Sequence, residues 1–251
     1  MKSRRYFSPA RGLALTAGIA LLAFASCGTG GQAAPDVPID RFIAITFDDG
    51  PFDHTGRLLD ILAEHDVRAT FFLIGQHIEA RPGQARLILE AGHEIGNHSW
   101  EHANFSDAEE GAIRQSLERT SGIIREVSGE YPVFFRAPFL VDTPTLRQVA
   151  GEMGMSLIGS NVIGMDWGDT TTDEIVANVL GNATDGGIIL LHEQFGANDL
   201  RTERALPLIF AGLRARGFGI VSLSELLEIK GAAFAPGTLY GSVERSPGDA
   251  Q

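Results

Sequence analysis

The chain has 251 residues, with 20 Lys+Arg against 32 Asp+Glu, a formal charge of −12 and a single cysteine. So acidic a chain argues against a general nucleic-acid binder, and one cysteine excludes an internal disulfide framework. The length suits one sizeable core rather than two comfortable domains.

Lys2, Arg4, Arg5 and Arg11 open the chain, followed by an uncharged run over 12–26 rich in Ala, Leu and Gly. That run is shorter than the roughly 20 apolar residues that span a bilayer. Its basic flank and small-residue exit read as an export signal over residues 1–26. Ser3-Arg4-Arg5-Tyr6-Phe7 resembles the twin-arginine signal, with a chance Arg-Arg in an ordinary basic leader as the alternative. Cys27, after Ala25-Ser26, resembles the lipidated cysteine of a bacterial lipoprotein, although Phe24 stands where an aliphatic residue is usual. The expectation is lipidation of Cys27 as the only membrane attachment, in the bacterial periplasm or on the outer membrane; cleavage nearby without lipid is the alternative. Removing 1–26 takes away four positive charges and no negative one, moving the charge from −12 to −16. Residues 27–40 read as a flexible tether, 41–230 as the folded body, and 231–251, with Pro236, Gly237, Pro247 and Gly248, as a flexible tail.

Strand-like apolar runs recur at 42–47, 69–74, 94–97, 133–136, 156–160, 188–191 and 218–221. Helix start signals separate them. Ser106-Asp-Ala-Glu109 reads as a capping box opening a helix to about Val127, Thr143-Pro144 as an N-cap with its first turn, and Thr171-Thr-Asp-Glu174 as a second capping box. Strands alternating with helices predict an α/β fold on a mostly parallel sheet. Functional side chains in such folds gather at the C-terminal ends of strands. Asp48, Asp49, His98, Arg136 and His192 all fall there.

Thr46-Phe47-Asp48-Asp49-Gly50 sets two adjacent carboxylates where an apolar strand breaks into a Gly-Pro turn. Successive residues leaving a strand point in different directions, so the pair can serve one site as metal ligand and as base. Taken alone it is equally ordinary turn chemistry. His98 and His102 lie four residues apart, a spacing that a helical turn would place on one side. With Asp49 they make a mixed nitrogen and oxygen set with an open position, which suits a catalytic zinc or a similar divalent ion. Hydrolysis then needs a base for the water proton and an acid for the leaving group. Asp48 is the natural base and His192 the natural acid, with Glu193 expected to point elsewhere. Arg136 can keep Asp48 ionised by charge pairing.

Thr46-Phe-Asp-Asp-Gly50, His98-Ser-Trp-Glu-His102, Arg136-Ala-Pro-Phe139, Asp166-Trp167 and Leu190-Leu-His192 resemble, in order, the five motifs of the polysaccharide deacetylases, carbohydrate esterase family 4. The resemblance runs over about residues 41–227. It implies a distorted (β/α)7-type barrel, a single catalytic domain, and metal-dependent removal of acetyl groups from an acetylated glycan. Residue by residue, it implies Asp48 as base, Asp49, His98 and His102 as ligands of one divalent metal, Arg136 as partner of the base and His192 as acid. The metal would be zinc foremost, with cobalt or nickel as alternatives. The backbone N–H near Phe139 would help hold the oxyanion, and Trp167 and Leu190 would wall the acetyl pocket. His54, His65, His77 and His93 match no catalytic position; His93 reads as structural and His54 as a rim residue.

The fourth motif departs from the family pattern. Ile163-Gly-Met-Asp166-Trp167-Gly168 lacks the usual first acid and the basic residue after Trp, leaving Asp166 to orient His192 and making this wall less polar. The leading reading is an exported deacetylase of N-acetylglucosamine-containing polymers or oligosaccharides. O-acetyl ester hydrolysis on xylan-like polymers and non-catalytic carbohydrate binding at the cell surface are the alternatives.

Overall fold

The computed structural model describes residues 37–193, 198–233 and 235–244; the expected leader over 1–26, Cys27 and most of the expected tether lie outside them. Among the described residues, nine strands form one curled sheet in which every pairing is parallel. They are β1 (Arg41–Asp48), β2 (Thr70–Leu73), β3 (Glu94–Asn97), β4 (Phe134–Phe135), β5 (Ser156–Ile158), β6 (Val162–Ile163), β7 (Gly187–His192), β8 (Phe218–Val221) and β9 (Leu239–Tyr240). The spatial order is β6-β7-β1-β2-β3-β4-β5-β9, with β8 paired to the start of β1. This is the distorted (β/α)7-type barrel expected, curled but without a ladder between β5 and β6 among the described residues.

Helices α1 (Thr55–Glu64), α2 (Gly75–Ala80), α3 (Pro82–Glu90), α4 (Glu110–Ser128), α5 (Pro144–Glu152), α6 (Thr172–Asn182), α7 (Arg201–Arg214) and α8 (Leu223–Ile229) complete the fold. Strand alternation divides the core. Ile43, Ile45 and Phe47 of β1 pack with Phe71, Leu206 and Phe210 against the helical layer. The alternate face carries Ala44, which packs with Phe72, Phe134, Ile158 and Ile188 and with Leu223, Leu226 and Leu227 of α8. Burying each large side chain contributes roughly 1.5–3 kcal/mol. Thr46 and Asp48 continue the parity of Ala44, so β1 ends by aiming a carboxylate into the barrel.

The register then levels the functional positions. Asp48 lies opposite His192 and Phe72, and Asn97, which precedes His98, lies opposite Phe135, which precedes Arg136. Thr143 caps α5 by accepting from the Leu146 N–H, and Thr171 and Glu174 close the expected capping box on α6.

Three local expectations are corrected. Helix α4 starts at Glu110 without a side-chain cap, because Ser106 donates its N–H and hydroxyl to Asn104 Oδ1 instead. His98 and His102 lie not on a helix but in the loop after β3, where Ser99 and His102 take φ of 67° and 59°. In the segment expected to be a flexible tail from 231, Leu239–Tyr240 adds strand β9 to β5.

Candidate active site

Asp49 follows the last residue of β1 and leaves the sheet at φ 76°. This left-handed conformation costs an ordinary L-residue roughly 1–2 kcal/mol, and Asp is among the few side chains that visit it readily. The turn brings Asp49 Oδ1 to 3.3 Å from both His98 Nε2 and His102 Nε2. Histidine convergence is built by a loop. Asn97 Oδ1 accepts from the Ser99 N–H at 2.8 Å, and Ser99 Oγ from the His102 N–H at 3.1 Å.

His98 Nδ1 lies 2.8 Å from the Arg136 carbonyl oxygen. A carbonyl only accepts, so Nδ1 carries the proton and the Nε2 lone pair is free to ligate, the usual arrangement behind a metal-bound histidine. Asp49 Oδ1 is buried and accepts no hydrogen bond. An orphaned buried carboxylate oxygen is costly unless something cationic faces it. Asp49, His98 and His102 place their ligand atoms within 4.8 Å of one another. The donor set therefore fits a divalent ion of the zinc or cobalt type. Burial alone would raise the Asp49 pKa, but the imidazoles, His98 foremost, hold it below the usual carboxylate value. Burial, first of all, draws the His102 pKa below its ordinary value, against the pull of Asp49 and Asp48.

Asp48 Oδ1 receives Arg136 Nη1 at 2.7 Å, and Asp48 Oδ2 lies 3.8 Å from His98 Nε2. Arg136 is fully buried, with Nη1 also donating to Thr46 Oγ1 and with Nε and Nη2 donating to the carbonyls of Ile158 and Gly159. Its guanidinium also lies 4.2 Å from the centre of the Phe72 ring. Opposite Asp48 in register, His192 Nδ1 stands 2.7 Å from Asp166 Oδ1, and the His192 N–H donates to Asp166 Oδ2 at 2.8 Å. Thr202 Oγ1 donates to the same Oδ2 at 2.8 Å. Asp166 thus fixes both the ring and the backbone of His192, without an acid at Ile163. Burial lowers the His192 pKa, but the Asp166 hydrogen bond and charge, with Asp48 and Asp49, more than reverse this to about 9.

These groups open onto a cavity of about 520 Å³. Beyond the carboxylates and imidazoles its walls are Ala137, Phe139, Leu140, Ile163, Met165, Trp167 and Leu190. Phe139 meets His102 edge to face at 4.8 Å, and Trp167 meets His192 the same way at 5.3 Å. Glu193 turns away, as expected, toward α1, where Thr55 Oγ1 donates to Oε2 at 2.6 Å. Its burial, first of all, pushes its pKa up to about 7. A Cβ on Gly50 would lie 1.9 Å from Glu193 Oε1, so a larger residue there would have to displace the Glu193 carboxylate.

All ten sequence-chosen residues of the barrel meet here, with Arg136 and Asp166 behind the wall and the others on it. His93 is structural, its Nδ1 accepting from the Ala69 N–H at 3.2 Å. His54 does not line this cavity; it stacks on Phe52 at 5.4 Å. Sequence reading missed Thr202, Leu140 and Met165. Leu140 follows Arg136-Ala-Pro-Phe139 and Met165 precedes Asp166-Trp167, whereas Thr202 reaches Asp166 from α7 with no local signal.

A family profile described as polysaccharide deacetylase matches residues 37–158. The chain is 34% identical over 187 residues to a peptidoglycan-N-acetylglucosamine deacetylase of Bacillus cereus, covering 74% of this chain and 68% of that one. It is 32% identical over 203 residues to a chitooligosaccharide deacetylase of Bradyrhizobium, covering 76% and 93%. Among solved structures, a family 4 acetyl xylan esterase from Clostridium thermocellum in complex with a cobalt ion superposes with TM-score 0.75 at 36% identity, over 81% of this chain and 99% of that one.

Proposed function

The chain belongs to the polysaccharide deacetylase family, and we propose that it is an exported, metal-dependent N-deacetylase of N-acetylglucosamine-containing polysaccharides or oligosaccharides. What carries the reading is the convergence of Asp49 Oδ1 with the Nε2 atoms of His98 and His102, beside Asp48 and His192, each with its own charged partner. Asp49, His98 and His102 hold the ion, zinc first, with cobalt or nickel as alternatives. Bound there, the ion supplies Lewis acidity toward the acetyl oxygen.

Asp48, paired with Arg136, takes a proton from the attacking water. His192, kept charged by Asp166, gives its Nε2 proton to the leaving nitrogen as the C–N bond breaks, releasing acetate and a free amine. The backbone N–H near Phe139 donates to the oxygen that gathers negative charge. Trp167 and Leu190 flank the acetyl methyl. The leader delivers the protein outside the cytoplasm, with lipid on Cys27; lipid labelling of wild type against Cys27→Ser tests that attachment.

The test is acetate release from chitin oligomers, peptidoglycan, poly-N-acetylglucosamine and acetylated xylan, with His102→Ala as blank. Release from an N-acetylated substrate, abolished by a chelator and restored by zinc, cobalt or nickel, is the expected result. Undiminished release by Asp48→Asn would sink the assigned roles. The similarity to an acetyl xylan esterase favours a second reading, O-acetyl ester hydrolysis at the same site. Ester and amide forms of one sugar separate the two by their kcat/KM ratio.

A further inference from the structure

His77 matches no catalytic position in the sequence, yet its Nδ1 lies 2.7 Å from the backbone carbonyl oxygen of Asp49. The carbonyl can only accept, so His77 donates. Its ring also packs at 5.1 Å on Phe52, three residues beyond Asp49. Asp49 is the residue held at φ 76°, and its N–H is fixed by the Phe72 carbonyl at 3.1 Å. With both ends of that residue tethered, the left-handed turn that aims its carboxylate is over-determined, as strained backbone at a functional site must be to persist.

Helix α2, which carries His77, also grips the other ligand loop. The N–H groups of Gly75 and Gln76 donate to the carbonyls of Ser99 and Trp100 at 3.0 and 2.9 Å, within the segment between His98 and His102. Just before the helix, the Ile74 N–H donates to the Gly50 carbonyl at 3.0 Å. The approach is close enough that a Cβ on Gly75 would lie 2.4 Å from the Trp100 ring. One short element therefore touches the loop bearing Asp49 and the loop bearing both imidazoles.

We propose that His77 is a positioning residue for the metal centre, its Nδ1–H bond to the Asp49 carbonyl setting the Asp49 carboxylate in register with His98 and His102 through α2. This rests on the reading that those three residues bind a divalent ion. Partners one step behind metal ligands typically change metal affinity by about 10- to 100-fold when removed.

Three variants of the full chain separate the hydrogen bond from the ring. His77→Phe keeps an aromatic ring against Phe52 and loses the donor, His77→Asn keeps a donor at the position of Nδ1 and loses the ring, and His77→Leu loses both. Each is stripped with a chelator and titrated with Co²⁺ in competition with a chelating dye, and the Co²⁺ visible spectrum and the melting temperature of the stripped protein are recorded. The expected result is affinity lower by about tenfold or more in H77F and H77L with a changed cobalt spectrum, affinity within a few-fold of wild type in H77N, and similar melting of all stripped proteins. The proposal is overturned if H77F binds Co²⁺ as wild type does with the same spectrum, or if H77N falls as far as H77L. If H77F does not fold, H77L against H77N decides the question in its place. Wild type that takes up no Co²⁺ removes the metal reading itself; wild type that binds while H77F matches it removes only the role of His77.

Discussion

Arg136 Nη1 donates to Asp48 Oδ1 at 2.7 Å, and neither side chain exposes more than 4% of its surface. The largest fully buried side chain among the described residues is thus a cation paired with one carboxylate. Its remaining donors go to Thr46, Ile158 and Gly159, so the charge is satisfied even where water does not reach.

That pairing separates two substitutions. Arg136→Met strands a buried carboxylate and is expected to cost about 3–5 kcal/mol in denaturant unfolding. Asp48→Asn keeps an acceptor for Arg136 and is expected to cost less, while acetate release falls by about 10²- to 10⁴-fold with the loss of the base. An Asp48→Asn protein as unstable as Arg136→Met would contradict this division.

The folded pKa of His192, about 9, exceeds its ordinary 6.5, so its contribution to stability is fully present below 6.5 and is lost as pH rises through about 9. The span is worth at most about 3 kcal/mol. In metal-free protein, unfolding free energy should fall across that window, and Asp166→Asn should flatten the fall. The same substitution should move the alkaline limb of kcat/KM toward lower pH, because the acid then loses its proton earlier. An alkaline limb that stays in place would remove His192 as the proton donor.

Leu140 and Met165 carry bulky apolar side chains at φ of 54° and 58° and are 36% and 44% exposed on the cavity wall. Such residues are outliers in that region of backbone space and persist where something other than the local backbone requires the side chain. Leu140→Gly is expected to raise KM for an N-acetylated oligosaccharide about fivefold, equivalent to about 1 kcal/mol of lost apolar contact, with kcat little changed. A fall in kcat at constant KM would assign Leu140 to the chemistry instead.

Metal removal should register in stability as well as activity. Zinc at 100 times its dissociation constant adds about 2.7 kcal/mol, so chelation should lower the melting temperature of wild type. His102→Ala should show no such dependence, while its own metal-free melting stays near that of wild type, since His102 is partly exposed. An unchanged zinc-dependent shift in that variant would remove His102 from the ligand set.

Much of this was legible in the chain because the barrel writes it locally. Each strand end carries its functional residue within a few positions, so Asp48, His98, Arg136 and His192 could be read from apolar runs and the polar residues that end them. Helix spacing misled for His98 and His102, since a period of four looks alike in a helix and in a loop bent by two left-handed residues. The strand Leu239–Tyr240 escaped notice because two residues beside Pro and Gly carry no periodicity. Whether Asp166 could serve alone was not readable at all. The answer lies in Thr202 on α7 and in the His192 backbone, contacts made across the fold.

The pairing of β1 with β7 has a kinetic consequence. Asp48 meets His192 only when the first strand has closed with one formed near the end of the chain, and loop-closure entropy opposes such distant pairing until the intervening units are in place. Asp48 and His192 therefore face each other only across a long closure, whereas Asp49, His98 and His102 lie on the loops after β1 and β3, both of which pair with β2. On the proposed roles, catalysis requires the closure of β1 on β7, whereas the three proposed metal ligands are joined through β2 alone, which makes catalysis, rather than ion uptake, the report that the whole sheet has formed.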